Sequence, residues 1–235
     1  MRYFYDLHIH SALSPCADVL MSPNNILNMS FLKELNIIAI TDHNSCLQLD
    51  VIEELKDSYE MLIVPGAEIE VKEKYHVVCL FKSFDVSRKF QKALNVYLDK
   101  KMHDEELYGE QNLFDAFDDV ISNYQVSLMG SSNISVLDLR KIVKGLDGVM
   151  ILAHIEKYGD DVFDKLKTIY KNTFDAIEVN ASYDITKIEH KLNEFSYVVL
   201  RNSDAHQITD ISEPVNSIEL EELSVDCLFE YLRKR

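Results

Sequence analysis

Short apolar runs rich in β-branched residues recur along the chain, and they alternate with stretches whose apolar positions fall at helical spacing. That alternation is the signature of βα units building a parallel sheet. The runs predict strands over 3–8, 36–40, 61–65, 76–81, 148–153, 176–179 and 197–200. Ser22-Pro23 opens a helix, with a hydroxyl for the cap and proline at the first helical position, and Ile26, Met29, Leu32 and Leu35 supply its apolar face. Further helices are predicted over 49–57, 86–102, 136–144, 161–171, 186–193 and 225–233. Seven strands in near-complete alternation with helices predict an α/β barrel.

One region breaks the repeat. Residues 82–147 carry two helical stretches separated by polar, acidic sequence, and read as an insertion that either forms a lid over the barrel or packs outside it. No internal repeat or Pro/Gly-rich linker divides the chain, so its 235 residues read as a single domain.

Composition narrows the function classes. A formal charge of −16 argues against a broad electrostatic footprint, which predicts no duplex nucleic acid and no anionic membrane as partner. A polyanion must then be drawn locally, by metals. No apolar stretch approaches the roughly 18 residues of a spanning helix, and a cytoplasmic enzyme is the expectation. Cys16, Cys46, Cys79 and Cys227 show no close pairing pattern and are expected to be reduced. Oligomeric state has no signature in the pattern.

The candidate chemistry lies at the ends of the apolar runs. Six of the eight histidines stand there, in Asp6-Leu-His8-Ile-His10, Asp42-His43, His76, Ala153-His154 and Asp204-Ala-His206. Residues two apart on a strand face the same way, so His8 and His10 share one centre, and Asp204 and His206 repeat the spacing from far along the chain. Glu68 follows Val64-Pro-Gly-Ala in the same manner. Imidazole with carboxylate suits Zn, Mn or Fe. In parallel barrels such groups project from the C-terminal strand ends, and His76 is the exception because it begins its run. Asp42 reads as a residue that orients a ligand or a loop, and His103 and His190 read as surface residues.

These motifs, with Thr41-Asp42-His43-Asn44 and Pro65-Gly-Ala-Glu68, resemble the PHP (polymerase and histidinol phosphatase) family in both content and order from Asp6 to His206. The resemblance implies a distorted (β/α)7 barrel holding two or three divalent ions of Zn, Mn or Fe. It implies that His8, His10, Glu68 and Asp204 hold one metal, that Glu68 bridges to a second held by His76 and His154, and that His43 and His206 help to hold a third. Many members place a further histidine after the first motif, whereas this chain reads Ser11-Ala-Leu-Ser-Pro15-Cys16-Ala-Asp18. Asp18 is the nearest candidate for that place, and Cys16 is the less favoured competitor because the other ligands are nitrogen and oxygen.

The expected activity is hydrolysis of a phosphoester by metal-activated hydroxide. The expected substrate is a small phosphorylated metabolite, a nucleotide or a short oligonucleotide. His43 or His206, when free of metal, would assist the leaving group, and Arg201 and Lys157 would anchor phosphate. The alternative is a non-catalytic, metal-stabilised binding or regulatory module. A third reading, amide or ester hydrolysis by an amidohydrolase-like barrel, shares the metals.

Overall fold

In the computed structural model, which describes residues 1–130 and 132–234, all seven predicted strands are present and six of them run in one direction. They are β1 (Arg2–Ile9), β2 (Ile37–Ile40), β3 (Leu62–Glu70), β4 (His76–Leu80), then β5 (Asn112–Phe114) and β6 (Val120–Asn123) in the insertion, β7 (Val149–Leu152), β8 (Ala176–Glu178) and β9 (Val198–Leu200), with β10 (Ser217–Glu219) near the end. The main sheet has eight strands in the order β10-β1-β2-β3-β4-β7-β8-β9. Its helices are α1 (Pro23–Leu32), α2 (Leu49–Leu55), α3 (Phe84–Leu94), α4 (Glu105–Tyr108), α5 (Val136–Gly145), α6 (Asp161–Lys167), α7 (Glu189–Leu192) and α8 (Val225–Leu232).

Two strands depart from a regular parallel barrel. β4 runs antiparallel to both β3 and β7, because residues 71–75 leave no length for a helical crossover and the chain turns straight back. His76 therefore pairs with Glu70 at the very end where the parallel strands finish, which resolves its odd place at the start of a run. The unpredicted β10 joins the far side of β1 in antiparallel pairing. The predicted helix over 86–102 ends at Leu94, and the stretches predicted over 161–171 and 186–193 shorten to α6 and α7.

The sheet curls until its ends meet. Past β9, Ala205 bridges Ile9, its N–H donates to the His8 carbonyl, and its own carbonyl accepts from His10 N–H at 3.0 Å. Side chains complete the seam: Asn202 Oδ1 accepts from Leu7 N–H and Asp6 Oδ1 accepts from Ser203 N–H. One face of all eight strands supplies a core cluster that includes Leu7, Ala39, Val64, Val78, Ile151, Ala176, Leu200 and Ile218, with α8 adding Leu228, Phe229 and Leu232. The other face, with Ile38, Ile63, Cys79, Met150 and Ile177, packs under the helices. Among the described residues no helix is long and apolar enough to cross a membrane.

The insertion reaches over the ligand-bearing loops. Asn44 Nδ2 donates to the carbonyls of Leu128 and Gly130, Asn112 N–H donates to Ala12 O, and Ser132 N–H donates to Glu70 O.

Candidate metal centre

Alternation along the strands delivers the site. Val64 faces the inner core, so Glu68, four residues on, has the same facing; Val78 likewise sets His76, and Ala176 sets Glu178. On β1, Tyr5 and Leu7 face inward and Ile9 outward, with an irregular register between Asp6 and Ile9. This bulge re-aims the strand end and lets both His8 and His10 enter the site.

Glu68 is the centre. Its Oε1 lies 3.0 Å from His76 Nδ1, 3.1 Å from His154 Nε2 and 3.3 Å from His8 Nε2. Its Oε2 lies 2.9 Å from His43 Nδ1 and 3.5 Å from His10 Nε2. Asp204 Oδ1 stands 3.4 Å from both His8 Nε2 and His10 Nε2. Three overlapping groups have ligand atoms within 4.8 Å of one another: His8, His10 and Asp204; His43, Glu68 and His76; His10, His43 and His206. Eight of the nine expected ligands thus converge.

The ninth does not. Asp18 is exposed, its carboxylate accepts from Leu20 N–H, and it joins none of these groups among the described residues. Arg201 is also directed elsewhere: its Nη2 donates to the carbonyls of Ala181 and Tyr183, so the guanidinium ties down the loop after β8. Lys157 does reach the site, with Nζ 3.0 Å from Asp204 Oδ2. His103 bonds to the Gly109 carbonyl and His190 is exposed, both away from the cluster.

Hydrogen bonds behind the ligands set their tautomers. His8 Nδ1 faces both oxygens of Glu178 at 2.9 and 3.0 Å, and a carboxylate only accepts, so Nδ1 carries a proton and Nε2 is the nitrogen turned to the cluster. Ser14 Oγ donates its one proton to Asp42, so His10 Nδ1 must donate to it and Nε2 is again turned to the cluster. His206 Nδ1 donates to the Asp204 carbonyl. His154 Nδ1 lies 3.2 Å from Tyr158 Oη, which accepts from His76 N–H. Asp42, expected to orient a ligand or loop, binds Ser11 and Ser14. Glu178 was missed by the sequence reading, although a carboxylate two residues after buried Ala176 was the available signal.

The electrostatics demand positive charge. Burial pulls the His8 pKa down, but Glu178, Glu68 and Asp204 outweigh it and raise it well above the usual value. Burial likewise opposes, and Glu68 overcomes, the rise of His43 to about 10. Burial would raise Glu68, yet His8, His76 and His43 hold it well below the carboxylate range, and Asp204 is lowered against burial chiefly by His8. His10 is depressed by burial and by His43. Cys16 is lowered to about 6: burial opposes, and hydrogen bonds with His206 and His43 prevail.

The donor set fits divalent metal. His8 Nε2 and His10 Nε2 are 3.1 Å apart and aimed at one point, an approach that needs a proton or a cation shared between them. Buried Glu68 Oε2 and His76 Nδ1 meet His43 Nδ1 and Glu68 Oε1 at 2.9 and 3.0 Å without hydrogen-bond geometry, which suits atoms that share an ion. At the site Asn44, His154 and Asp204 have positive φ of 50°, 31° and 55°, strain of order 1 kcal/mol apiece.

No family model matches the chain. An uncharacterized protein of Methanocaldococcus jannaschii is 29% identical over 189 residues, which span 76% of this chain and 23% of that one. Among solved structures, the lesion-specific endonuclease Q of Pyrococcus furiosus superposes with a TM-score of 0.71 at 17% identity, over 99% of this chain and 56% of the endonuclease. The chain thus spans about a quarter of that relative and a little over half of the endonuclease. A Bifidobacterium adolescentis protein named for metal-dependent phosphoesterase activity matches with a TM-score of 0.60 at 18% identity, covering 98% of this chain and 96% of that one. An amidohydrolase of Chromobacterium violaceum matches with a TM-score of 0.64 at 15% identity, covering 97% and 96%. These likenesses show a fold shared with metal hydrolases. They also overturn the exclusion of duplex nucleic acid: endonuclease Q, on the same fold, is seen with a 27-mer duplex bearing an abasic lesion at its active site. Net charge describes the far field, whereas ions in a cleft dominate the field that a phosphate meets there.

Proposed function

We propose that the chain is a metal-dependent phosphoesterase of PHP type, with the Glu68-centred cluster as its active site. The observation that carries this reading is the convergence of the His8 and His10 Nε2 atoms with Asp204 on one point beside Glu68. Bound divalent ions would lower the pKa of a coordinated water and offset charge on a phosphoryl oxygen. Glu68 Oε1 and Oε2 face different histidines, which suits one carboxylate to bridge two ions. Lys157, half exposed at the rim, presents an ammonium to a phosphate oxygen. His206, with Nδ1–H fixed on a carbonyl, holds or passes the leaving-group proton at Nε2 where it is not a ligand.

The substrate enters beside a cavity of about 630 Å3 lined by Asn44, Glu70, Lys74, Lys101, Tyr108 and Ser132, built largely by the insertion. Lys74 and Lys101 there are paired with Glu70 and Asp99 of the same lining, so the cavity walls balance positive and negative charge. The test is product release from sugar phosphates, mononucleotides, single strands and duplexes with and without an abasic site, each with Mn, Zn or Fe supplied. Metal-dependent phosphoester cleavage supports the reading. Cleavage of amides in its place would transfer the site to the amidohydrolase class, and no turnover at confirmed metal occupancy would favour the binding module.

A further inference from the structure

A second cleft meets the cluster at Asp204. It holds about 660 Å3, with residues 180–182 after β8 on one wall, residues 209–216 on the other, and Ser203 and Asp204 where it reaches the ligands. Asp204 belongs both to this cleft and to the group it forms with His8 and His10. The insertion's cavity reaches the cluster past other ligands: Asn44 follows His43, and Glu70 Oε2 lies 3.9 Å from His76 Nε2. The cluster therefore stands between two clefts.

Both walls of the second cleft are fixed. Asn180 Nδ2 donates to Ser203 O, Asn180 Oδ1 accepts from Ser182 N–H and Oγ–H, and Arg201 holds the carbonyls of Ala181 and Tyr183. Across the cleft, buried Asp6 accepts from Ser212 N–H, and Lys33 Nζ donates to the carbonyls of Thr209 and Ile211. The charge of the lining is acidic, with Asp204, Asp210 and Glu213 against Lys33, which is itself paired with Glu213. Such walls repel a second phosphate. They suit hydroxyls and amides, which meet the amide and hydroxyl side chains there, and Val215, 69% exposed, adds an apolar face.

We infer that this cleft is a subsite for an uncharged polar alcohol arm of a phosphodiester, a sugar or nucleoside, and that the chain prefers such diesters to phosphate monoesters. Each cleft has the size of a small-molecule site, about 300–1,000 Å3, and a terminal phosphate carries only one arm to fill them. A diester carries two, and its phosphorus then lies over the cluster between them. Hydrolysis adds water across one P–O bond: the hydroxyl joins phosphorus, the second proton goes to the departing oxygen, and the other arm stays esterified. Binding of an arm remote from that bond lowers the barrier, so a truncated diester should react more slowly. The inference rests on reading the cluster as a phosphoesterase centre.

Three p-nitrophenyl esters test it on the Mn-loaded full chain: thymidine 5′-(p-nitrophenyl phosphate), methyl p-nitrophenyl phosphate and p-nitrophenyl phosphate. The kcat/KM expected for the thymidine diester exceeds that for each of the others by about 10-fold or more. Ser182→Trp and Thr209→Trp, at exposed positions on opposite walls, should each close the gap to within about 3-fold, with thermal melting to verify that the variants fold. Equal rates on the thymidine and methyl diesters, a preference for the monoester, or a gap that survives either substitution overturns the subsite and leaves the phosphoesterase reading standing. No metal-dependent release from any of the three esters overturns that reading, and the subsite with it.

Discussion

Glu178 shows how much a site depends on residues that touch no substrate. Its carboxylate accepts from His8 Nδ1–H, His154 N–H and Asn202 Nδ2–H, three donors on an acceptor-only group. Glu178→Gln puts an amide N–H against one of them, unlocks the His8 tautomer, and should weaken metal binding about 10–100-fold, read by titration against a chromophoric chelator. Tyr158→Phe removes the hydroxyl shared by His76 N–H and His154 Nδ1, with an effect expected at the lower end of that range, about 10-fold. The eight converging residues were legible because histidines and carboxylates border the apolar runs, His76 at the start of its run and the others at the ends. Arg201 was not, since its carbonyl partners Ala181 and Tyr183 lie in a loop whose path no periodicity encodes.

At the level of elements, β3 is the spine of the site. It is nine residues long, pairs with β2 through Leu62 to Pro65 and with β4 through Gly66 to Glu70, and so switches partner in the middle. Gly66 is required at the switch: a Cβ there would lie 2.8 Å from Leu80 Cδ2 and 3.0 Å from the Cys79 carbonyl. Gly66→Ala should cost about 1–3 kcal/mol through overpacking, a fall of roughly 2–10 °C in Tm by calorimetry. The strand expected over 61–65 stops at Pro65, where proline offers no N–H to a ladder. Alternation carried through to Glu68 would have extended it. The five residues before His76 were equally informative, being too few for a crossover helix. The hairpin of β5 and β6 was not legible, since Val120 and Ile121 are exposed and no buried face imposes a period on it. β10 is only three residues long and carried no pattern of its own.

For the whole molecule, the seam between β1 and residues 201–205 links metal binding to folding. Asp204, His206 and Ala205 sit on one side of that seam and His8 and His10 on the other, with Ala205 bridging Ile9. An ion held by both sides clamps the curled sheet shut. At a free metal concentration about 100 times Kd the gain is about 2.7 kcal/mol, so Tm should rise by roughly 5–10 °C on metal addition and fall back on chelation. His8→Ala should abolish most of that rise. The barrel-like architecture was legible from seven alternating runs, but its curled closure through Asn202, Asp6 and a short bridge was not. Those links are single side chains meeting across nearly the full length of the chain.

The central claim is that Glu68 organises a multinuclear metal centre, and metal content per chain tests it most directly. The measurement is elemental analysis of the purified full chain after Zn or Mn loading and removal of free metal, with Glu68→Gln in parallel and circular dichroism to verify that the variant folds. The account predicts two or more ions per chain in the wild type and at most one in the folded variant. Fewer than two ions in the wild type, or the same number in both proteins, would contradict it.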